Sequence, residues 1–411
     1  MKPRKGLSGL EALAIAIIVA GCGVSQTNNY TSTSPSLDKT TNATSQMEYP
    51  KPAKLAPDNW INIHMITEDV GWGVLYSTNQ GSSVVRTADG GKSWYNVSPS
   101  TVMGDVNGAD FPNGNDAWFT VQSVSKPGNT YEPYLILYHT DNGGQTWQSA
   151  RIHVGQILVY QTQISVVNDS TIYMDVIPQH GMNSMPGQLM VSRDGGASWS
   201  TVKTPNDLPL GGSLQFVNAT TGWLSTSNST TGDYQLFETT DGGTSWREIH
   251  VPVPTEFSGE QISLSLPQFS TANANQGILQ ATFQRYGSLI EHRGIYSTSD
   301  AGKSWTFVGE MPGLGGLVSF PSTSVGVAIP LTPSKTFSTL YETTNGGTSW
   351  RNITLPKAPF STLLRNYIPT QLDFVSKSVG WVVWVPKRAG SSTNQIWETT
   401  DGGHTWKKVW S

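Results

Sequence analysis

The chain has 411 residues, only 13% of them charged, and a formal net charge of −4. That balance excludes an electrostatic grip on nucleic acid, which needs a clustered excess of Lys and Arg. With 42 glycines, 24 prolines and 15 tryptophans, the composition suits an extracellular all-β protein with many turns.

Lys2, Arg4 and Lys5 precede the apolar stretch LEALAIAIIVAG, interrupted only by Glu11. A basic start followed by a short apolar core is a targeting signal, not part of a fold. The stretch ends in VAGC, residues 19–22, which resembles a bacterial lipobox. The resemblance implies cleavage before Cys22 and a lipid on its thiol. Cys22 is the sole cysteine, so no intrachain disulfide can form. Residues 23–57 are rich in Ser, Thr, Asn and Pro and cannot bury enough apolar surface to offset ordering entropy. We therefore expect a signal peptide over 1–21, a lipidated Cys22 with a flexible tether over 22–57, and a domain over 58–411. The domain would sit on the extracytoplasmic face of the cell membrane.

From residue 60 onward one octapeptide recurs: TADGGKSW (87–94), TDNGGQTW (140–147), SRDGGASW (192–199), TTDGGTSW (239–246), TSDAGKSW (298–305), TTNGGTSW (343–350) and TTDGGHTW (399–406). Successive copies are 53, 52, 47, 59, 45 and 56 residues apart. Internal repetition overrides the two or three domains that length alone suggests.

The first repeat opens on WINIHMI, where apolar residues alternate. EDVGWGVLYS follows as a turn and a strand, then SSVVRTADGGKSWYNV as strand, tight turn and strand. The second-strand signal returns as DAWFTVQ (116–122), TGWLSTS (221–227), VGVAIPL (325–331) and VGWVVWV (379–385), and more weakly as STIYMDV and QGILQAT. Four antiparallel strands repeated seven times predict a seven-bladed β-propeller, with the octapeptide between the third and fourth strands of each blade. A solenoid would show atypical end units, and the first and last copies are as regular as the rest.

The third octapeptide position holds Asp89, Asn142, Asp194, Asp241, Asp300, Asn345 or Asp401. Asp and Asn both accept backbone N–H bonds across their own turn. The exchange of Asp for Asn, and of Gly for Ala301, suits a structural turn and not a catalytic acid. The closing residues Trp94, Trp147, Trp199, Trp246, Trp305, Trp350 and Trp406 are expected to pack between neighbouring sheets.

The octapeptide resembles the Asp-box, or bacterial neuraminidase, repeat. Together with the GWGV and GWVV strands it is similar to propellers of the photosystem II stability/assembly factor type. That resemblance covers residues 60–411 and implies an exported, often lipid-anchored binding or assembly scaffold. Sialidases and xyloglucan hydrolases carry Asp-boxes too, so the motif indicates architecture and not activity. The sialidase signature Arg-Ile-Pro is absent; RIH (151–153) is the nearest string. A glycosidase by another route needs two carboxylates about 5–9 Å apart. Glu132, Asp233, Glu256, Glu260 and Glu291 are candidates by loop position alone.

No cofactor and no metal is expected. The seven histidines lack zinc spacing. The run DVNGAD (105–110) beside NGND (113–116) offers calcium-type oxygens without a closing glutamate and reads as a surface turn. Variation concentrates in the loops joining second to third strands and in the linkers between blades, which share one face, and such loops carry function. On that face Lys335, Lys357, Arg365, Lys387 and Arg388, with Tyr367 nearby, form a basic and aromatic cluster in blades 6 and 7. Arg285 and Tyr286 of blade 5 are a second candidate. These residues point to a non-catalytic scaffold, acting as a monomer, for a protein or cell-envelope polymer of acidic character. The alternative is a carbohydrate-active enzyme, sialidase-like or another glycoside hydrolase.

Overall fold

The computed structural model describes residues 60–411, apart from 78–80, 101, 103, 126–131, 156, 180–186, 206–207, 228–233, 289, 314, 331–338, 356–362 and 389–392. The expected signal peptide, Cys22 and the expected tether lie outside the described residues, as do Lys335, Lys357 and Asp233.

Seven antiparallel sheets form a ring. The blades span residues 60–96, 106–153, 159–201, 213–249, 261–310, 317–354 and 367–410. Within each blade the strands pair in chain order, and the first strands of neighbouring blades touch where blade 2 meets 3, 3 meets 4, 6 meets 7 and 7 meets 1. The first strand of blade 5 is split at Pro267 into Gln261–Leu264 and Gln268–Phe269, both paired to the same neighbour.

The octapeptide builds the same turn seven times. In blade 4 the Thr239 hydroxyl donates to Asp241 Oδ1 at 2.9 Å and accepts from Gly243 N at 2.9 Å, and Ser245 N donates to Asp241 Oδ1 at 2.9 Å. The second carboxylate oxygen accepts from the Ser245 hydroxyl at 2.6 Å. Where Asn replaces Asp, the amide donates instead: Asn142 Nδ2 to Thr146 Oγ1 at 2.7 Å and Asn345 Nδ2 to Ser349 Oγ at 2.9 Å. A hydroxyl both donates and accepts, so it suits either partner. The fourth-position N–H then reaches the turn between the first and second strands of its own blade, as Gly90 N does to Asp69 O at 2.9 Å and Gly402 N to Ser378 O at 2.8 Å. The two turns thus share one face, which we call the octapeptide face.

Each junction between blades buries an apolar cluster. Trp94, Trp305 and Trp406 are buried, whereas Trp147, Trp199, Trp246 and Trp350 are half-buried. The Gly-Trp pair of the second strand has a separate logic. Gly222, Gly326 and Gly380 lie under the rings of Phe216, Phe320 and Phe374, where an added Cβ would approach to 2.7, 2.6 and 2.5 Å. The following Trp reaches the next blade: Trp223 covers Gly302, and Trp381 covers Gly91.

A polar staple recurs on the inner strands. The residue before Phe111, Val166, Phe269, Phe320 and Phe374 bonds to the backbone of the next blade. Asp110 accepts from Val166 N at 2.8 Å, Ser165 from Phe216 N at 2.7 Å and Ser319 from Phe374 N at 3.0 Å. Gln268 donates to Phe320 O at 2.9 Å, and Asp373 accepts from Met65 N at 2.8 Å. The last of these closes the ring. Blade 7 is built wholly from 367–410 and blade 1 from 60–96, so no strand is shared between the termini. Closure rests on Asp373, on Gln371 Oε1 accepting from Ile63 N at 2.9 Å, and on Trp381 Nε1 donating to Gly90 O at 2.9 Å. A shared apolar cluster that includes Ile63, Trp94, Trp381 and Val383 backs these bonds.

Candidate functional site on the variable face

The loops joining second to third strands, and the linkers between blades, emerge opposite the octapeptide turns. Seven large apolar side chains are exposed among the described residues. Six of them, Leu158, Tyr160, Tyr234, Val253, Tyr286 and Ile290, lie in or beside these loops and linkers. Only Val217 lies on the octapeptide face. Tyr286 is the extreme, at 89% exposure on the tip of the blade 5 hairpin.

The basic residues of blade 7 come together there. Arg365 lies on a helical turn over 363–366 in the linker from blade 6. Lys387 Nζ donates to Leu364 O at 2.6 Å, and Lys387 N donates to Asn366 O at 2.8 Å, which folds the end of the second strand onto that turn. Arg365, Lys387 and Arg388 are exposed. Tyr367, expected beside them, is instead buried in the core between blades 6 and 7. Tyr367 begins the inner strand of blade 7 and pairs with Pro386, so it does not stand in the linker.

Blade 5 supplies the second group. Arg285, at the hairpin tip, lies 3.8 Å from Glu260 of the preceding linker, and Glu260 Oε2 is buried without a partner. His292 Nδ1 meets Glu310 Oε1 at 2.6 Å. Glu256 belongs to a single 3-10 turn, Thr255–Phe257, that plugs Phe257 against Phe283. Glu132 opens the third strand of blade 2, and RIH falls in that blade's outer strand, Gln148–His153.

Four ionisable groups lie deep in the ring, and of these only Asp110, within the calcium-like run, figures in the sequence analysis. Burial raises the Asp110 and Asp175 carboxyls to about 7 in each case. Asp175 accepts from Gly211 N at 2.8 Å through one oxygen and leaves the other without a partner. Burial also lowers the His64 imidazole and raises Asp373, each opposed by the other's charge. Carboxyls held protonated near neutral pH are what a general acid requires. Asp175, however, is fully enclosed, and Asp110 is occupied by its staple. Their common signal in the sequence is a polar residue inside an apolar strand. Among the described residues no group of three His, Cys, Asp or Glu could hold a metal ion, and Val106–Asp110, from the calcium-like run, is an inner strand.

No family model matches this chain. A xyloglucanase from a Paenibacillus species is 24% identical over 232 residues, covering 56% of this chain. The chain spans only 19% of that enzyme's length. Among the solved structures similar in fold, three have a TM-score of 0.51. An ulvan lyase is 9% identical, with 88% of this chain and 94% of the other covered. The propeller domain of the Trilobed protease from Pyrococcus furiosus is 8% identical, with 87% and 99% covered. The BP39L lectin of Burkholderia pseudomallei is 11% identical, with 85% and 97% covered. At such identities the likeness is one of fold.

Proposed function

We propose that this protein is a lipid-anchored, extracytoplasmic propeller that holds a polysaccharide of the cell envelope on its variable face without cleaving it. The gathering of exposed Tyr160, Tyr234 and Tyr286 on that face carries the reading. A tyrosine offers a flat apolar ring with a polar edge, which suits a ligand that is apolar on one side and hydroxylated on the other. The partial match to a xyloglucanase favours a polysaccharide over a protein as the occupant. The sevenfold octapeptide supports an Asp-box lineage similar to the photosystem II stability/assembly factor group, whose members serve as scaffolds. The anchor rests on Cys22, and Cys22→Ser should move the protein out of the detergent phase.

The second reading is a glycoside hydrolase, favoured by the same match and by the raised Asp110 and Asp175. A glycosidase acid must touch the glycosidic oxygen. These two carboxyls instead accept backbone N–H bonds between strand, linker and neighbouring blade. The full-length chain incubated with xyloglucan and with envelope polysaccharides decides between the readings. Binding without new reducing ends supports the scaffold, and release of reducing ends that Asp110→Asn or Asp175→Asn abolishes supports the hydrolase.

A further inference from the structure

The junction between blades 5 and 6 differs from the other six. Among the described residues its buried apolar core consists of Ile278, Ile295 and Phe320, whereas every other junction buries a cluster of at least six. Toward the variable face the blade 5 sheet turns polar. Strand register aligns Gln261, Gln284 and Glu291 in one row and Ser263, Thr282 and Arg293 in the next. Residues two apart along a strand share a face, so the two rows lie on the same side of the sheet. All six are half-buried. This side faces blade 6, because Ile295, two residues beyond Arg293, packs against Gly347.

Arg293 is the unusual member. Its Nε is buried without a hydrogen-bond partner, and its ion pair with Glu291 spans 4.0 Å. Burial lowers the guanidinium pKa, and the Glu291 charge at 4.0 Å offsets that desolvation only in part. A guanidinium offers parallel N–H donors that fit a carboxylate or sulfate in a fork. Its side chain keeps 28% exposure, which leaves it open to an outside oxyanion. Around it stand amides and hydroxyls, the groups that match sugar hydroxyls, and not the apolar anchors of a protein interface.

We infer that this polar wedge between blades 5 and 6 is a subsite for an acidic sugar unit, with Arg293 donating to its carboxylate or sulfate. The inference rests on the polysaccharide reading above and names the charged class of that polymer. Gln261, Ser263, Thr282 and Gln284 meet the ring hydroxyls, and Tyr286 at the hairpin tip borders the mouth.

The test is retardation of the full-length chain, in detergent, on native gels containing polygalacturonate, dextran sulfate or neutral dextran. One of the two acidic polymers should retard it and dextran should not, and which one retards it distinguishes carboxylate from sulfate. Arg293→Gln should weaken that retardation roughly 10- to 100-fold, the loss of a charge-assisted pair. Its melting temperature should stay level, since the charge removed is half-buried and only distantly paired with Glu291. Arg293→Lys, which keeps the charge and loses the fork, should fall between. Should Arg293→Gln not fold, Thr282→Val reads the same wedge and should weaken retardation a few-fold, on the order of one neutral hydrogen bond. The joint replacement of Arg365, Lys387 and Arg388 by Ser should change little. Equal retardation of wild type and Arg293→Gln, or equal loss in the triple variant, overturns the subsite and leaves the polysaccharide reading standing. Retardation by neutral dextran alone does the same. Retardation by none of the three, with none by xyloglucan or envelope polysaccharide, overturns both.

Discussion

At the scale of single residues, most of the repeat serves the turn and the packing. Trp94 is fully buried at the closing junction, so Trp94→Ala should cost about 3–5 kcal/mol in a thermal or urea melt. Asp241→Asn should be far milder, because Asn142 and Asn345 already show that the amide makes the same bonds with its hydroxyl reversed. Ala301 is the only non-glycine residue with a positive φ, at 60°, among the described residues. Left-handed backbone disfavours a Cβ by roughly 1 kcal/mol, and glycine gives back part of that in unfolded entropy. Ala301→Gly should therefore raise stability slightly, by about 0.5 kcal/mol. The titratable residues set an optimum. Asp110 and Asp175 are raised from 3.8 to about 7 by burial, so the stability they contribute is complete below pH 3.8 and is lost as pH rises toward 7. Asp194, Asp241, Asp300 and Asp401 are lowered, Asp300 to about 2, and lose their contribution as pH falls below 3.8. Melting temperature should peak in mildly acid solution, above pH 4, and fall by pH 8. Asp110→Asn should flatten the decline on the alkaline side.

At the scale of strands and turns, the sequence was legible wherever residue type and position repeat together. The octapeptide announces its turn because Asp-Gly and the flanking hydroxyls have one local solution. The Gly-Trp pair announces the second strand for a reason visible only in three dimensions, the Phe ring lying on the glycine. The staple escaped notice because one position is filled by Asp110, Ser165, Gln268, Ser319 or Asp373, and these share a hydrogen bond but no residue type. Tyr367 was misplaced for a related reason. Its neighbourhood lacks the apolar alternation that marks other inner strands, and only pairing with Pro386 makes it a strand. Ring closure was not legible at all, since it depends on contacts 308 positions apart. Removing those contacts should loosen the ends first. Gln371→Ala combined with Asp373→Ala leaves two backbone donors unmet, at about 1–3 kcal/mol each. Hydrogen exchange in that variant should rise in blades 1 and 7 before it rises in blade 4. Uniform acceleration around the ring would mean that closure is held by the apolar cluster alone.

At the scale of the whole molecule, seven near-equivalent blades present two unlike faces. The octapeptide face is locked by repeated turns and carries one large exposed apolar residue, Val217, among those described. The variable face carries the tyrosines, the basic turn of blade 7 and the polar wedge of blades 5 and 6. On the function proposed above, the variable face of this ring serves as a platform for a polysaccharide. The most direct measurement is polysaccharide capture by the full-length chain, compared with a variant carrying Tyr160→Ala, Tyr234→Ala and Tyr286→Ala. All three side chains are exposed, so the variant should melt like wild type. Wild type should bind polysaccharide without releasing reducing ends, and the variant should lose at least roughly tenfold in affinity, about 1.4 kcal/mol. Equal capture by both proteins, or reducing ends released by wild type, would contradict a non-catalytic binding face.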